Sequence, residues 1–409
     1  MTPRRALVTD AARGSALAVI GSLARCGWDV VAADDDRFAP GLYSRHVRER
    51  MVYPPPRRAP DRFVAALADA VRERRIDVVV PVTDDVIAPL VAANGALDSC
   101  AVALPPREAL AAVTDKRATL ALANRLEIPT PQTCVVATAA EALERAPALG
   151  WPIVLKPERS KRYHPGQPLE SFAVTYAEDA AALAERMRRL EGHGAVLMQQ
   201  YCPGEGHGVA ILAHEGRPLA AFQHRRLREF PLTGGTSTFR ESVALDPVLY
   251  AYATRLLGAL AWTGPALVEF KVGPRGARLM EVNGRVWGSL PLAVKSGVDF
   301  PARWLEFYRS GPPPIDDPMR AEYALGVRSR DFGLELAWIA SVLLGRRQYR
   351  FEPRPPRLSA LAVACRLLTA AGGHDVISRD DPVPGVLEVL RAARLAARRL
   401  RESRAAVAR

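Results

Sequence analysis

The first hundred residues alternate strand and helix signals, and that alternation constrains the fold more than any other feature of the chain. Ala6–Val8 reads as a strand, Ser15–Arg25 as a helix, Trp28–Ala33 as a strand running to Asp34, Asp61–Arg74 as a helix and Asp77–Val82 as a strand. Parallel strands need a crossover of this kind, so the segment predicts an α/β domain on a doubly wound parallel sheet. The turn Thr9–Ser15 holds one glycine, Gly14, and lacks the G-x-G-x-x-G spacing that lets a backbone approach a pyrophosphate. Dinucleotide binding is therefore disfavoured. Asp84 and Asp85 follow the end of a strand, where such sheets place ligands, although capping the next helix is the plainer role for both.

A chain of 409 residues calls for two or three domains, and 49% hydrophobic with 24% charged residues allows each a buried core. Met1-Thr2-Pro3-Arg4-Arg5 leads straight into a strand, unlike a signal peptide. The longest apolar run, Phe332–Leu344, is 13 residues, contains Glu335 and is too short to span a bilayer. Cys26, Cys100, Cys134, Cys202 and Cys365 are scattered without metal-type spacing, so a reducing, cytoplasmic setting is expected.

The net charge of +12 invites a nucleic-acid reading, but much of the excess lies in the tail Arg391–Arg409, where arginines alternate with alanines. No stacking motif or nucleic-acid module accompanies it, so no nucleic-acid partner is expected. The plain reading of the tail is a solvated helix; a weak membrane-surface contact is the sharper one. Of 56 basic residues only Lys116, Lys156, Lys161, Lys271 and Lys295 are lysines. A chain that writes arginine almost everywhere keeps lysine where a compact ammonium is wanted, as phosphate oxygens often require.

Further along, Arg117–Leu126 reads as a helix, Ala139–Arg145 as a helix and Pro152–Leu155 as a strand ending at Lys156. Ala177–Leu190 reads as a helix and Ala195–Met198 as a strand, with Gly208–Leu212 as its hairpin partner. Ala220–Phe222 begins another strand and Pro247–Ala261 is a helix. Then comes the most chemical feature of the chain. Ala266–Val272 is β-prone, Gly273–Gly276 is turn material, and Arg278–Val282 returns. Such a hairpin brings Glu269 beside Glu281, and the two-residue pleat puts Asn283 on the face of Glu281, with Arg285 just beyond. Hard oxygen donors suit Mg²⁺, which takes one or two carboxylates together with phosphate oxygens. The bland alternative is a hairpin with its polar face in water. Pro312–Pro314 is the clearest linker, and two apolar helical stretches flank Glu352–Pro356 before the basic tail.

In chain order, Asp115-Lys116, Lys156, Gln199-Gln200-Tyr201 with Glu205, Glu269, and Glu281-Val282-Asn283-Gly284-Arg285 resemble the ATP-grasp superfamily, which includes biotin carboxylase, carbamoyl-phosphate synthase and D-alanine–D-alanine ligase. The resemblance covers about residues 1–305, and Pro231–Thr238 is similar to a segment of predicted carboxylate–amine ligases. It implies a pre-ATP-grasp α/β domain over 1–106 and an α+β ATP-grasp domain over 107–310 with a lid at about 130–200. A mostly helical extension over 311–409 would complete the chain. It implies ATP and Mg²⁺, or Mn²⁺ in its place, as cofactors. Lys116 and Lys156 match phosphate-binding lysines, Gln199, Gln200 and Tyr201 the adenine hinge, and Glu205, with His207 nearby, a ribose contact. Glu269, Glu281 and Asn283 match metal ligands, and Arg285 the arginine that steadies the transferring phosphoryl group. Relatives often carry acids where Gln199 and Gln200 stand, and a glycine-rich lid where this chain has the basic run Glu158–Gly166.

The activity so implied is an ATP-dependent carboxylate–amine ligase: a small carboxylic acid activated as its acyl phosphate, then joined to an amine. Arg225, Arg226 and Arg228 are candidates for gripping the acid, Lys271 for the reacting centre, and Gly234–Ser237 for an anion-binding nest. A homodimer is the assembly the resemblance suggests. A carboxylase or small-molecule kinase on the same fold, and a nucleotide-binding regulator without turnover, are the competing readings.

Overall fold

The computed structural model describes residues 4–311, 322–345, 349–353, 355–367 and 373–407. The expected proline linker, 312–314, lies outside the described residues.

The N-terminal sheet is formed by β1 (Arg5–Val8), β2 (Asp29–Asp34), β3 (Glu49–Val52), β4 (Val78–Val80) and β5 (Ala101–Val102). All its pairings are parallel, in the order β3-β2-β1-β4-β5. Helices α1 (Gly14–Arg25), α2 (Pro60–Glu73) and α3 (Asp84–Ala92) connect its strands, so the doubly wound reading stands, with the order reversing at β1. The short strands β3 and β5 were not expected. Leu7, Val31 and Val79 bury one face against Phe63 and Leu67 of α2, while Ala6, Val30 and Val78 bury the other against α1. A strand covered on both faces reads as a continuous apolar run, which is why Val78–Val80 was legible.

Helices α4 (Arg107–Thr114) and α5 (Lys116–Arg125) lead into a second sheet. Asp115 caps α5, its carboxylate accepting from the Ala118 amide at 2.9 Å. This sheet comprises β6 (Thr133–Val136), β7 (Ile153–Pro157), β10 (Thr175–Ala177) and β11 (Val196–Gln200), antiparallel in the order β10-β7-β11-β6. Helices α6 (Ala139–Arg145) and α7 (Ala180–Leu190) cover it, and a small hairpin, β8 (Lys161–Arg162) with β9 (Glu170–Ser171), projects from it. Ala177, expected as the start of a helix, ends β10 instead. The helix waits for Asp179, whose side chain caps it by accepting from Ala182.

The third sheet is the largest: β12 (Glu205–His214), β13 (Arg217–Phe230), β14 (Thr236–Val243), β15 (Gly264–Gly273), β16 (Gly276–Asn283) and β17 (Arg328–Arg330). Their order is β16-β15-β12-β13-β14-β17, antiparallel throughout. One expected pairing fails here. Gly208–Leu212 does not fold back on the strand before it; it pairs with β13 and β15. Residues 201–204 instead cross from one sheet to the next. A side chain on Gly204 would stand 2.6 Å from the Val272 carbonyl oxygen, and one on Gly273 2.5 Å from that of Pro203, so glycine at both positions permits the crossing. The expected nest at 234–237 also fails, because Thr236 and Ser237 already pair with Phe230 and Glu229 in the β13–β14 hairpin.

Helix α8 (Pro247–Ala259) covers one face of this sheet. The other meets α1, α9 (Leu290–Lys295) and α10 (Phe300–Ser310) in one core holding Val19, Leu23, Phe222, Trp287 and Trp304. The N-terminal domain and the large sheet are thus joined through shared apolar packing. The C-terminal helices α11 (Phe332–Leu344), α12 (Arg357–Leu367) and α13 (Pro382–Val407) follow β17. No described helix is long and apolar enough to cross a membrane.

Candidate functional site

Glu269 and Glu281 are direct cross-strand partners in β15 and β16, and Leu267 pairs with Asn283. A register shift after Glu269 sets Phe270 opposite Leu279 and frees Met280 from the ladder, the mark of a bulge. The Asn283 side-chain NH₂ stands between the two acids, donating to Glu269 Oε1 at 3.1 Å and toward Glu281 Oε1 at 3.4 Å. Burial pushes the Glu269 carboxyl up; Arg226 opposes the shift and Glu281 adds to it. Two carboxylates and an amide are thus crowded together, with the Arg226 guanidinium paired to Glu269. Among the described residues no three His, Cys, Asp or Glu side chains gather to hold a metal. The donor set still fits Mg²⁺, which takes few protein ligands and fills the remainder with phosphate oxygens and water.

A narrow cleft with a free volume of about 10 Å³ lies between the four-stranded sheet and this hairpin. Lys116, Lys156, Gln199 and Glu281 line it, with Val113, Leu120, Leu197, Leu279 and Val282 supplying apolar walls. Strand register explains the grouping: Leu197 pairs with Lys156 across β11 and β7, and the pleat brings Gln199 to the same face two residues on. Burial lowers the affinity of both lysines for their protons, while Glu281 pulls each the other way. Lys116 Nζ donates to Ser160 Oγ at 2.7 Å. Two partly desolvated ammonium groups at one end of an apolar slot suit a polyanion with a flat hydrophobic part.

Arg285 stands beyond Asn283, its Nε 2.8 Å from Asp84 Oδ1 and its Nη1 donating to the Val286 carbonyl at 3.0 Å. Burial opposes its charge, but Asp84 first, then Glu281 and Glu269, outweigh that and hold the guanidinium protonated. Asp84 feels burial too; Arg285, Lys161 and Lys116 outweigh it and keep the carboxyl below its usual range. The basic run after Lys156 is the β8–β9 hairpin, strapped to the N-terminal domain. Lys161 pairs with Asp85 at 2.5 Å, the Gly166 amide donates to Asp61 at 2.9 Å, and the Leu169 amide to the Arg57 carbonyl at 2.9 Å.

Other expected residues stand elsewhere. His207 pairs with Glu205 at 2.8 Å and with Phe270 across the ladder, so both side chains lie on the face of β12 turned away from Glu269. On the Glu269 side that position belongs to Gly206, where a side chain would meet Arg226 Cδ at 2.7 Å. Glu205 and His207 are not among the side chains that line the cleft. Gln200 points opposite to Gln199, and Tyr201 packs its ring 5.0 Å from Phe351 and 6.3 Å from Tyr176. The three candidate arginines are each held by carboxylates of the chain: Arg225 by Glu241 at 2.7 Å, Arg226 by Glu229 at 2.8 Å and by Glu269, Arg228 by Glu335. Lys271 joins Glu229 at 2.8 Å. The apolar walls and Asp84's hold on Arg285 escaped sequence reading.

A family model described as "ATP-grasp in the biosynthetic pathway with Ter operon" matches residues 193–329. No curated protein sequence matches the chain. Among solved structures, an L-amino acid ligase from Bacillus licheniformis is similar at 17% identity and a TM-score of 0.57, over 75% of this chain and 74% of that one. Biotin carboxylase from Campylobacter jejuni, solved as a β-γ-ATP complex, is similar at 17% identity and 0.62, over 80% and 74%. The biotin carboxylase domain of Hydrogenobacter thermophilus 2-oxoglutarate carboxylase, solved with MgADP and bicarbonate, is similar at 16% and 0.60, over 80% and 73%.

Proposed function

Since this chain has the ATP-grasp fold, we propose that it is an ATP- and magnesium-dependent ligase that activates a small carboxylic acid as an acyl phosphate and joins it to an amine. The observation that carries the reading is the convergence of Lys116, Lys156 and Glu281 on one apolar-walled cleft, with Glu269 and Asn283 at its edge. In the first step a carboxylate oxygen attacks the γ-phosphorus of ATP, the bond to the bridging oxygen breaks, and ADP leaves. In the second the amine nitrogen attacks the acyl carbon, the carbon–oxygen bond to phosphate breaks, and the amine's proton goes to solvent.

Phosphoryl transfer asks a protein mainly for positioning and charge neutralisation. Lys116 and Lys156 would hold the phosphates through charge-assisted bonds, and Gln199 would meet the base edge. Arg285, braced by Asp84, would face the transferring group with its remaining donors. Glu269, Glu281 and Asn283 would hold magnesium, which when bound neutralises phosphate charge. Since Arg225, Arg226 and Arg228 already serve internal carboxylates, we do not assign the acid to them.

Phosphate release with ATP and magnesium, across carboxylic acids each paired with amines, tests the reading. Release that needs both partners supports ligation. Release with acid alone, or transfer to a hydroxyl, would move the chain to the carboxylase or kinase reading, and nucleotide binding without any release to the regulatory one.

A further inference from the structure

We propose that Thr133 determines which purine base this cleft accepts, by fixing which end of the Gln199 amide faces it. The inference rests on the nucleotide reading above and adds a selectivity element outside the phosphate and metal constellation.

Gln199 is 2% exposed and lines the cleft from β11, directly across the ladder from Thr133 of the edge strand β6. Its Nε2 lies 2.9 Å from Thr133 Oγ1, and that hydroxyl lies 2.8 Å from the carbonyl oxygen of Pro131. A hydroxyl has one proton to give. Spent on Pro131, it leaves Thr133 only lone pairs to offer, so the amide must turn its NH₂ toward Thr133. The other end, Oε1, is left buried and without a partner, on a residue that lines the cleft.

A buried acceptor without a donor is costly, and the cost disappears only when a ligand brings one. The exocyclic amino group of adenine brings an N–H. The oxo group of guanine or hypoxanthine would set oxygen against oxygen. Turning the amide round to suit an oxo base would require the Thr133 proton to leave Pro131, breaking the second link of the relay. A carboxylate at position 199 would be an acceptor in either orientation; an amide is not, so here the selectivity passes to the residue that orients it.

The test is competition between magnesium-ATP and magnesium-GTP for the full chain, with no acid or amine present. The wild type is expected to prefer ATP. Thr133→Val keeps the shape but removes the hydroxyl, and is expected to cut that preference by about tenfold, the scale of one oriented hydrogen bond. Thr133→Ser should keep the preference, and Gln199→Glu should restore it in the Thr133→Val background. A merely structural role for Thr133 would weaken both nucleotides together and leave their ratio alone. Equal ratios for wild type and Thr133→Val overturn the relay, as does loss of ATP preference in Gln199→Glu alone should the valine variant not fold. A wild type that binds neither nucleotide sinks the nucleotide reading itself, whereas one that binds both equally sinks only the relay.

Discussion

At the scale of single residues, the cleft depends on charges placed where water is scarce. Glu281 lines the cleft and is the direct partner of Glu269, so Glu281→Gln should lower magnesium-dependent ATP turnover on the order of 10²–10³-fold. The thermal midpoint should not change, and calorimetry beside a phosphate-release assay checks both. Lys156→Ala removes a charged donor worth roughly 1.5–3 kcal/mol, so nucleotide affinity should fall about ten- to a hundredfold in titration calorimetry. Burial lowers the affinity of Lys156 for its proton, and phosphate favours the charged form. Affinity should therefore decline as pH rises, beginning below the range in which a surface lysine titrates, and alkaline binding should take up a proton. The acid pair and Asn283 were legible because a tight hairpin leaves little freedom of register. That Glu205 and His207 share the strand face opposite Glu269 was not legible, because a motif fixes neighbours along the chain but not the face a strand presents.

Among the elements, α13 carries a pH dependence of its own. Glu388 is buried on that helix; desolvation first, then Asp331 and Asp375, push its carboxyl up to about 7 against Arg391 and Arg13. Its proton is held more tightly in the folded chain than in the unfolded one. The stability this gives is complete below the unfolded value near 4.5 and is lost as pH rises through about 7. Thermal melts from pH 5 to 8 should show that decline, and Glu388→Gln should reduce it, leaving the share of Asp34 on β2, whose carboxyl burial also pushes up to about 7. The crossing between sheets is a second test: Gly204→Ala forces a methyl against the Val272 carbonyl and should cost about 1–3 kcal/mol in denaturant unfolding. Most helices and several strands were legible from period and capping residues, but β14, whose start was read as an anion-binding nest, was not. β3, β5 and β17 were not, since strands of two to four residues have too few positions to show alternation.

For the whole molecule, the segment after residue 321 is part of the framework. β17 closes the edge of the six-stranded sheet, pairing Arg330 with Phe239 and Arg328 with Glu241. Glu335 on α11 is fully buried, accepts from Thr238 at 2.6 Å and pairs with Arg228, while Asp375 pairs with the buried Arg240 and Ser329. Removing one partner of a buried pair leaves the other charge stranded. Glu335→Ala should therefore destabilise the fold by about 3–5 kcal/mol, and a chain ending near residue 311 should unfold readily in proteolysis. Sequence reading treated the final hundred residues as an extension, because pairing between strands some ninety positions apart leaves no local trace.

The rings at the far end of the chain have a mechanical consequence. Phe351 lies 5.0 Å from Tyr201 and 5.3 Å from Tyr176, and its backbone amide donates to Glu178 at 3.3 Å, so late-chain residues ride on the lid sheet. The same sheet is strapped at its opposite end through Lys161 to Asp85. A flap tethered at both ends would admit cargo when one tether slips, and the half-buried strap to the N-terminal domain, with no aromatic surface to wet, would yield first. Exchange of small molecules would then be timed by the Lys161–Asp85 pair together with the Gly166 and Leu169 amide bonds, of which the ion pair alone weakens as salt is added.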